Sequence, residues 1–249
     1  MNVCAETVSE EEPNDITSQA QLIFANSESA SGCVNGTYSG QYVVNGTISS
    51  YDTDWYMVWL SAGTKYVTSS GASFNYEIYE ENDLIYPMYT NSYYNNGSGV
   101  SAQSFTVTTS GTYYVKLTGI LTSSSSYTLA VGGPTYLVDD YYYYFGSIYM
   151  NGSNYVTPLY TVNETSIPNG AIVYRIIMGG ITSTNVNGVD ILNITGVYSC
   201  SLSGYNPSTN VSIYSNVPAK ADWRFTFKYK KNITIYPSVT IKYVYPVTS

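Results

Sequence analysis

Glu10, Glu11 and Glu12 stand in a row in the stretch SEEEPNDITSQAQ (residues 9–21), followed at once by Pro13, Asn14 and Asp15. The rest of the chain is charge-poor, with 10% of its residues charged. Carboxylates packed this closely repel unless a counter-charge sits among them. Glu10, Glu12 and Asn14 alternate, so an extended segment aims all three side chains one way, and Pro13 stiffens it. A second acidic pair, Asp52 and Asp54 in SSYDTDWY, stands at the mouth of an apolar strand. This mixture of carboxylate and amide oxygens suits a hard divalent cation. Calcium takes about six to eight oxygens and accepts irregular loops. The alternative is a solvated acidic tail or a cap on the next element. A glycosidase would need two carboxylates facing each other across a cleft, and nothing in the sequence marks one.

Other catalytic chemistry finds few residues to use. The chain has no histidine, which removes Ser-His-Asp, Cys-His and zinc-hydrolase constellations. No S-x-x-K occurs, and GGPTY and MGGITS lack the lysine and the strand-to-helix setting of a phosphate loop. The expectation is a protein that is not an enzyme.

A net charge of −8 offers no basic patch for nucleic acid or for an anionic membrane. No apolar run reaches the ~18 residues needed to span a bilayer. The chain opens abruptly at MNVCAETVSEEE without a signal peptide, as expected of a processed or truncated secreted protein. An extracellular or cell-surface address permits a disulfide, and Cys4–Cys33 is the most local pairing. Cys200 is then a buried free thiol or an intermolecular link. Glycosylation sequons fall at Asn35, Asn45, Asn96, Asn151, Asn163, Asn193, Asn210 and Asn232. Roughly five would arise by chance in so Asn-, Ser- and Thr-rich a chain, so the excess is modest.

The elements that must position these residues read as strands. The chain holds 30 tyrosines, with frequent Thr, Val and Ile, types that fit pleated, half-buried surfaces. No stretch of helical length has the i, i+3, i+4 apolar rhythm. Strands are expected near 41–49, 54–60, 64–69, 74–80, 104–108, 112–118 and 127–131. Gly132-Gly133-Pro134 then closes a domain, because it cannot continue a strand. Further strands are expected within 141–150, 154–162, 171–179, 188–202, 210–215, 222–230 and 238–247. This spacing predicts an all-β chain of two jelly-roll-like β-sandwiches in tandem. The expected division is an N-terminal arm over 1–8, a first sandwich over 9–132 and a second over 133–249.

Two strands carry extra information. DWRFTFKYK (222–230) places Trp223, Phe225, Phe227 and Tyr229 on one face and Arg224, Thr226, Lys228 and Lys230 on the other. Its basic face is a solvated surface or a dock for an acidic partner, such as another copy. DWYMVWL (54–60) is apolar on both faces, which calls for a second covering layer over Trp55 and Trp59. That layer would be the second domain, a neighbouring subunit or a stacked ligand such as a sugar.

Five segments in order resemble a known family: EEEPNDITSQAQ, VNGTISSYDTDWYMVWLSAGTKY, YEIYEENDLI, TTSGTYYVKLTG and YTLAV. They look like the bacterial and archaeal pre-peptidase C-terminal domain, which is related to the collagen-binding domains of clostridial collagenases. The resemblance covers residues 9–132; the second half resembles no family. It implies a jelly-roll-like sandwich of the kind found in secreted proteins, often beside a peptidase. In calcium-binding members the E-x-E-P-N-D segment and the aspartates before the D-[YW]-[YF] strand are ligands. The resemblance therefore implies Ca²⁺ at Glu10, Glu12, Asn14, Asp15, Asp52 and Asp54. Many members read Asp-Asp-x-Asp where this chain has Tyr51-Asp52-Thr53-Asp54, which removes one ligand.

Two functions follow. The first is a structural or adhesive surface protein that associates with its own copies as a filament or coat. The arm or SVTIKYVYPV (238–247) would add to a neighbour's sheet edge. The second is a targeting module that holds a secreted hydrolase to an extracellular protein or glycan.

Overall fold

The computed structural model describes residues 4–97, 99–150, 159–182, 184, 186–194, 198–203, 209–229 and 232–248. The fold is all-β and divides into two compact units, one running to Leu137 and one spanning Val138–Tyr245.

The first unit is built from β1 (Glu6–Ser9), β2 (Gln21–Ile23), β3 (Tyr42–Ile48), β4 (Thr53–Leu60), β5 (Gly63–Gly71), β6 (Phe74–Glu80), β7 (Tyr89–Tyr93), β8 (Ser101–Val107), β9 (Gly111–Gly119) and β10 (Ser125–Gly132). They form two five-stranded sheets, ordered β1-β3-β10-β5-β8 and β2-β4-β9-β6-β7. Period-two patterning drives the packing. Tyr56, Val58 and Leu60 of β4 meet Phe74 and Ile78 of β6, Val115 and Leu117 of β9 and Leu129 of β10 in one core. Each of these side chains is fully buried, worth about 1.5–3 kcal/mol apiece against exposure.

The N-terminal segment is part of this sandwich. Strand β1 lies parallel to β3, with Glu6 opposite Tyr42 and Ser9 opposite Asn45. Strand β2 lies parallel to β4 in the other sheet, with Gln21 opposite Tyr56. The acidic stretch is therefore the crossover between the two sheets. Gln21 clasps it, donating from Nε2 to the Ser9 carbonyl and accepting from the Glu11 N–H, both at 3.0 Å. A disulfide joins Cys4 to Cys33, which sits on the one-turn helix α1 (Ser31–Asn35).

The second unit holds β11 (Thr135–Tyr144), β12 (Ile148–Met150), β13 (Tyr160–Val162), β14 (Ile172–Gly179), β15 (Val186–Asn193), β16 (Tyr198–Ser203), β17 (Thr209–Pro218), β18 (Trp223–Tyr229), β19 (Ile233–Ile235) and β20 (Ser238–Val247). Their sheets are ordered β11-β20-β14-β17, β13-β18-β15-β16 and β12-β19. Strand β18 alternates as its sequence predicts: Trp223, Phe225, Phe227 and Tyr229 are buried, and Arg224, Thr226 and Lys228 are half-buried. Two runs expected as single strands are broken. Gly146, at φ 75°, separates β11 from β12 in a conformation that L residues rarely adopt. The run 188–202 folds back as β15 and β16, pairing Asn193 with Tyr198. Most of the strand expected over 154–162 lies outside the described residues.

The two segments expected to reach a neighbour's sheet differ. Strand β1 is bonded to β3 on one side and forms an edge of its sheet, whereas β20 is flanked on both sides by β11 and β14, so its ladder groups are already paired. The basic face of β18 is also partly neutralised, since Lys228 Nζ lies 2.7 Å from Asp190 Oδ1 on β15. Lys230 lies outside the described residues.

Phe225 is fully buried in the second unit's core. Phe225→Ala is expected to cost about 3–5 kcal/mol, read as a lowered urea midpoint with little change in slope.

Candidate metal centre

Three of the expected ligands converge at the crossover. Carboxylate oxygens of Glu10, Glu12 and Asp54 all lie within 4.8 Å of one another. Each arrives by a different route. Glu10 follows β1, held by its own N–H to the Asn45 carbonyl at 2.9 Å. Glu12 sits in the crossover, where its Oε2 accepts the Asn14 N–H at 2.8 Å. Asp54 opens β4 from the opposite sheet and is fully buried. Asn14 is drawn in beside it, because the Trp55 N–H donates to the Asn14 carbonyl at 2.8 Å.

The polar accounting leaves gaps of a particular kind. Asn14 is fully buried, yet neither its Oδ1 nor its Nδ2 has a hydrogen-bond partner among the described residues. Asp54 Oδ1 is likewise buried and unpartnered. An unsatisfied buried polar atom costs about 1–3 kcal/mol, and more when it is charged. Carboxylate and amide oxygens are the hard donors that Ca²⁺ takes.

Two tyrosines complete the cluster. Tyr56 and Tyr127 donate to Glu10 Oε1 at 2.8 and 2.7 Å, and Tyr127 also lies 2.8 Å from Asp54 Oδ2. The two hydroxyls are themselves in close contact. Two phenolic protons thus face four close oxygen–oxygen contacts, so the tyrosines alone leave some of them without a proton. Asp54 eases the shortage: burial first, then the nearby charges of Glu10 and Asp52, push its carboxyl up to about 8 against the pull of the Tyr127 hydrogen bond. Glu12 and Asp52 are also raised, each chiefly by burial with help from neighbouring carboxylates. Burial pushes both tyrosines up, so both keep their protons and can donate. Gly46 makes room for the cluster. A Cβ there would stand 2.6 Å from the Tyr127 hydroxyl and 2.7 Å from Glu10 Oε1.

The other expected ligands are less central. Asp52 Oδ1 accepts the Thr53 N–H at 3.0 Å, outside the converging group. Asp15 is exposed and also outside it, close enough only to raise Glu12 and Asp52 through its charge. Tyr56, Tyr127 and Gly46 carry no sequence signal of their own, since they meet Glu10 through sheet register.

The remaining expected site residues are dispersed. Trp55 is half-buried against Tyr79 with Lys116 over its ring, whereas Trp59 is 60% exposed. The face of β4 that carries them is only partly covered, unlike the fully covered strand its apolar pattern suggests. Among the sequons, Asn35, Asn45, Asn96, Asn163, Asn210 and Asn232 are exposed, and Asn151 lies outside the described residues. Asn193 is closed to a glycan: it is fully buried, and its Nδ2 donates to the Pro218 carbonyl at 2.9 Å. Cys200 is a free, half-buried thiol whose titration is pushed up by burial.

No protein-family model and no curated protein matches the chain. Among solved structures it is similar to a candidate secreted protein from Eubacterium rectale, at 13% identity and TM-score 0.51, over 99% of this chain and 87% of that one. It is also similar to the pre-peptidase C-terminal domain of a collagenase from Bacillus anthracis, at 17% identity and TM-score 0.34, over 49% of this chain and 99% of that one. The major capsid protein P2 of bacteriophage PM2 is similar at 12% identity and TM-score 0.32, over 82% of this chain and 98% of that one. The first likeness bears on fold alone; the two lower scores carry no argument.

The Asp54 carboxyl binds its proton more tightly in the folded chain than in the unfolded one. Its contribution to stability is therefore complete below about pH 4 and is lost as pH rises towards 8. In chelator, the melting temperature should fall across this window, and Asp54→Asn should flatten that fall in calorimetric scans.

Proposed function

We propose that this chain is a non-enzymatic extracellular protein that works by contact, as a structural or adhesive surface component that associates with its own copies. Its first sandwich is a calcium-stabilised domain of the pre-peptidase C-terminal type. The observation that carries this reading is the convergence of Glu10, Glu12 and Asp54 beside the unpartnered oxygens of Asn14 and Asp54. Calcium would be held by the Glu10, Glu12 and Asp54 carboxylates and the Asn14 amide oxygen. Bound there, it supplies the positive charge that the cluster lacks. The residues themselves fasten the crossover: Glu10 grips one sheet through the Thr47 N–H, and Asp54 belongs to the other.

The address is supported by the Cys4–Cys33 disulfide, which oxidising compartments preserve, and by millimolar calcium outside cells, which suffices for weak extracellular sites. The absence of histidine speaks against acid–base turnover near neutral pH. A second reading, a module that targets a partner to a protein or glycan surface, is favoured by the exposed aromatic rings of Phe24 and Trp59.

Calcium at about a hundred times its dissociation constant should stabilise the native chain by about 2.7 kcal/mol. Scanning calorimetry with calcium and then with chelator reads this as a raised and then lowered melting temperature. Asp54→Ala should remove the difference; a shift that survives in this variant rejects the ligand set. Light scattering and electron microscopy then decide the mode of contact. Ordered polymers support self-association, and a monodisperse monomer supports the targeting module.

A further inference from the structure

The first unit contains a cleft of 640 Å³ at the far end of β4 from Asp54. That size falls within the roughly 300–1,000 Å³ of small-molecule sites. Its walls are aromatic and come from separate segments. Phe24 follows β2, Tyr42 opens β3 and Trp59 closes β4. Phe24 and Tyr42 stand 5.2 Å apart, centroid to centroid. Phe24 is 62% exposed and Trp59 60%, so two large rings face water where a folded chain would ordinarily cover them.

The polar side of the cleft is equally unusual. Lys65 is almost wholly buried, and its Nζ lies 2.6 Å from Glu28 Oε1, on a carboxylate whose side chain is 67% exposed. A buried ammonium thus opens on the cleft through an accessible acceptor. The frame around the pair is pinned. Asn26 Oδ1 accepts the Tyr42 N–H at 2.6 Å, the Ser27 N–H donates to the Gly40 carbonyl at 2.7 Å, and the Tyr136 hydroxyl holds the Glu28 carbonyl at 2.8 Å.

We propose that this cleft binds a neutral oligosaccharide, with a sugar ring stacked on Trp59 or Phe24 and its hydroxyls donating to Glu28, which the buried Lys65 holds in place. The inference rests on the reading of the chain as an extracellular contact protein. A pyranose has one face of C–H groups, which suits the electron-rich face of an aromatic ring, and a rim of hydroxyls that both donate and accept. The cleft supplies a complement to each: flat rings for the face, and the accessible Glu28 carboxylate to accept from hydroxyls of the rim. An apolar peptide or a second copy docking by hydrophobic contact would strip water from Glu28 and return nothing to it. A polyanion meets a lysine already neutralised, on a chain of net charge −8.

The test uses the full chain with cellotetraose, N-acetylchitotetraose and mannotetraose, by titration calorimetry and tryptophan fluorescence. At least one should bind saturably with a dissociation constant of about a millimolar or below. Trp59→Ala and Phe24→Ala, both at exposed positions, should each weaken it about tenfold with the melting temperature kept. Tyr214→Ala, an exposed tyrosine of the other unit, should leave it unchanged. No binding of any of the three sugars up to about 10 mM, or binding that ignores Trp59→Ala, overturns the proposal. So does a Trp59→Ala variant that loses only self-association, which would make the cleft a contact between copies. The calcium-dependent melting shift does not involve the cleft, so failure here leaves the metal-stabilised reading standing on its own test.

Discussion

Three carboxylates held within 4.8 Å of one another at the seam of a two-sheet sandwich repel, and that repulsion must be answered. The first unit answers it in part with hydrogen bonds. Thr47 and Asn14 donate backbone N–H groups to Glu10 and Glu12, and Tyr56 and Tyr127 add their hydroxyls. These donors soften the charge without cancelling it. Among the described residues no lysine or arginine forms an ion pair with the cluster; the ion pairs lie elsewhere, at Lys65, Lys116, Lys228 and Lys242. A proton on Asp54 removes one of the three charges, and burial favours it by raising that carboxyl.

That repulsion matters structurally because of what the seam joins. The stretch between β1 and β2 is the only covalent crossover that leaves one sheet and enters the other before β3 begins. Both of its ends are short parallel strands, a weaker pairing than the antiparallel ladders that make up the rest of each sheet. Gln21 and the disulfide hold it from either side, and the acidic cluster sits between them. Holding the crossover there closes the core over Tyr56 and Tyr127, whose rings are buried and whose hydroxyls end in the cluster.

Much of this was legible in the residues. Alternation in 54–60 and 222–230 fixes which faces are buried, because a one-residue slip would invert every side chain. Glu10, Glu12 and Asn14 were legible through alternate spacing, and Asp54 through the motif that precedes the strand. Asp15 and Asp52 share the same motif but turn elsewhere, since local spacing does not say which carboxylates a crossover aims inward. Strands β1 and β2 escaped because three or four residues hold no period to read. Tyr127, Gly46, Tyr42 and Lys65 were illegible for a different reason. Each reaches its partner from a distant part of the chain, Tyr127 from 117 residues beyond Glu10, and only sheet register brings them together.

The cluster and the aromatic cleft are built on the same two pieces of chain. Strand β4 begins at the cluster with Asp54 and ends at the cleft with Trp59 and Leu60. The N-terminal segment passes through the cluster at Glu10–Asn14 and supplies the cleft wall at Leu22–Glu28. Neither piece has an independent core of its own. Phe24 follows a strand of three residues paired to β4, and the chain just beyond it is pinned again where the Asn26 N–H donates to the Val131 carbonyl at 2.8 Å. The two features thus share one strand and one N-terminal segment, which is bonded to one sheet before the cluster and to the other between the cluster and the cleft.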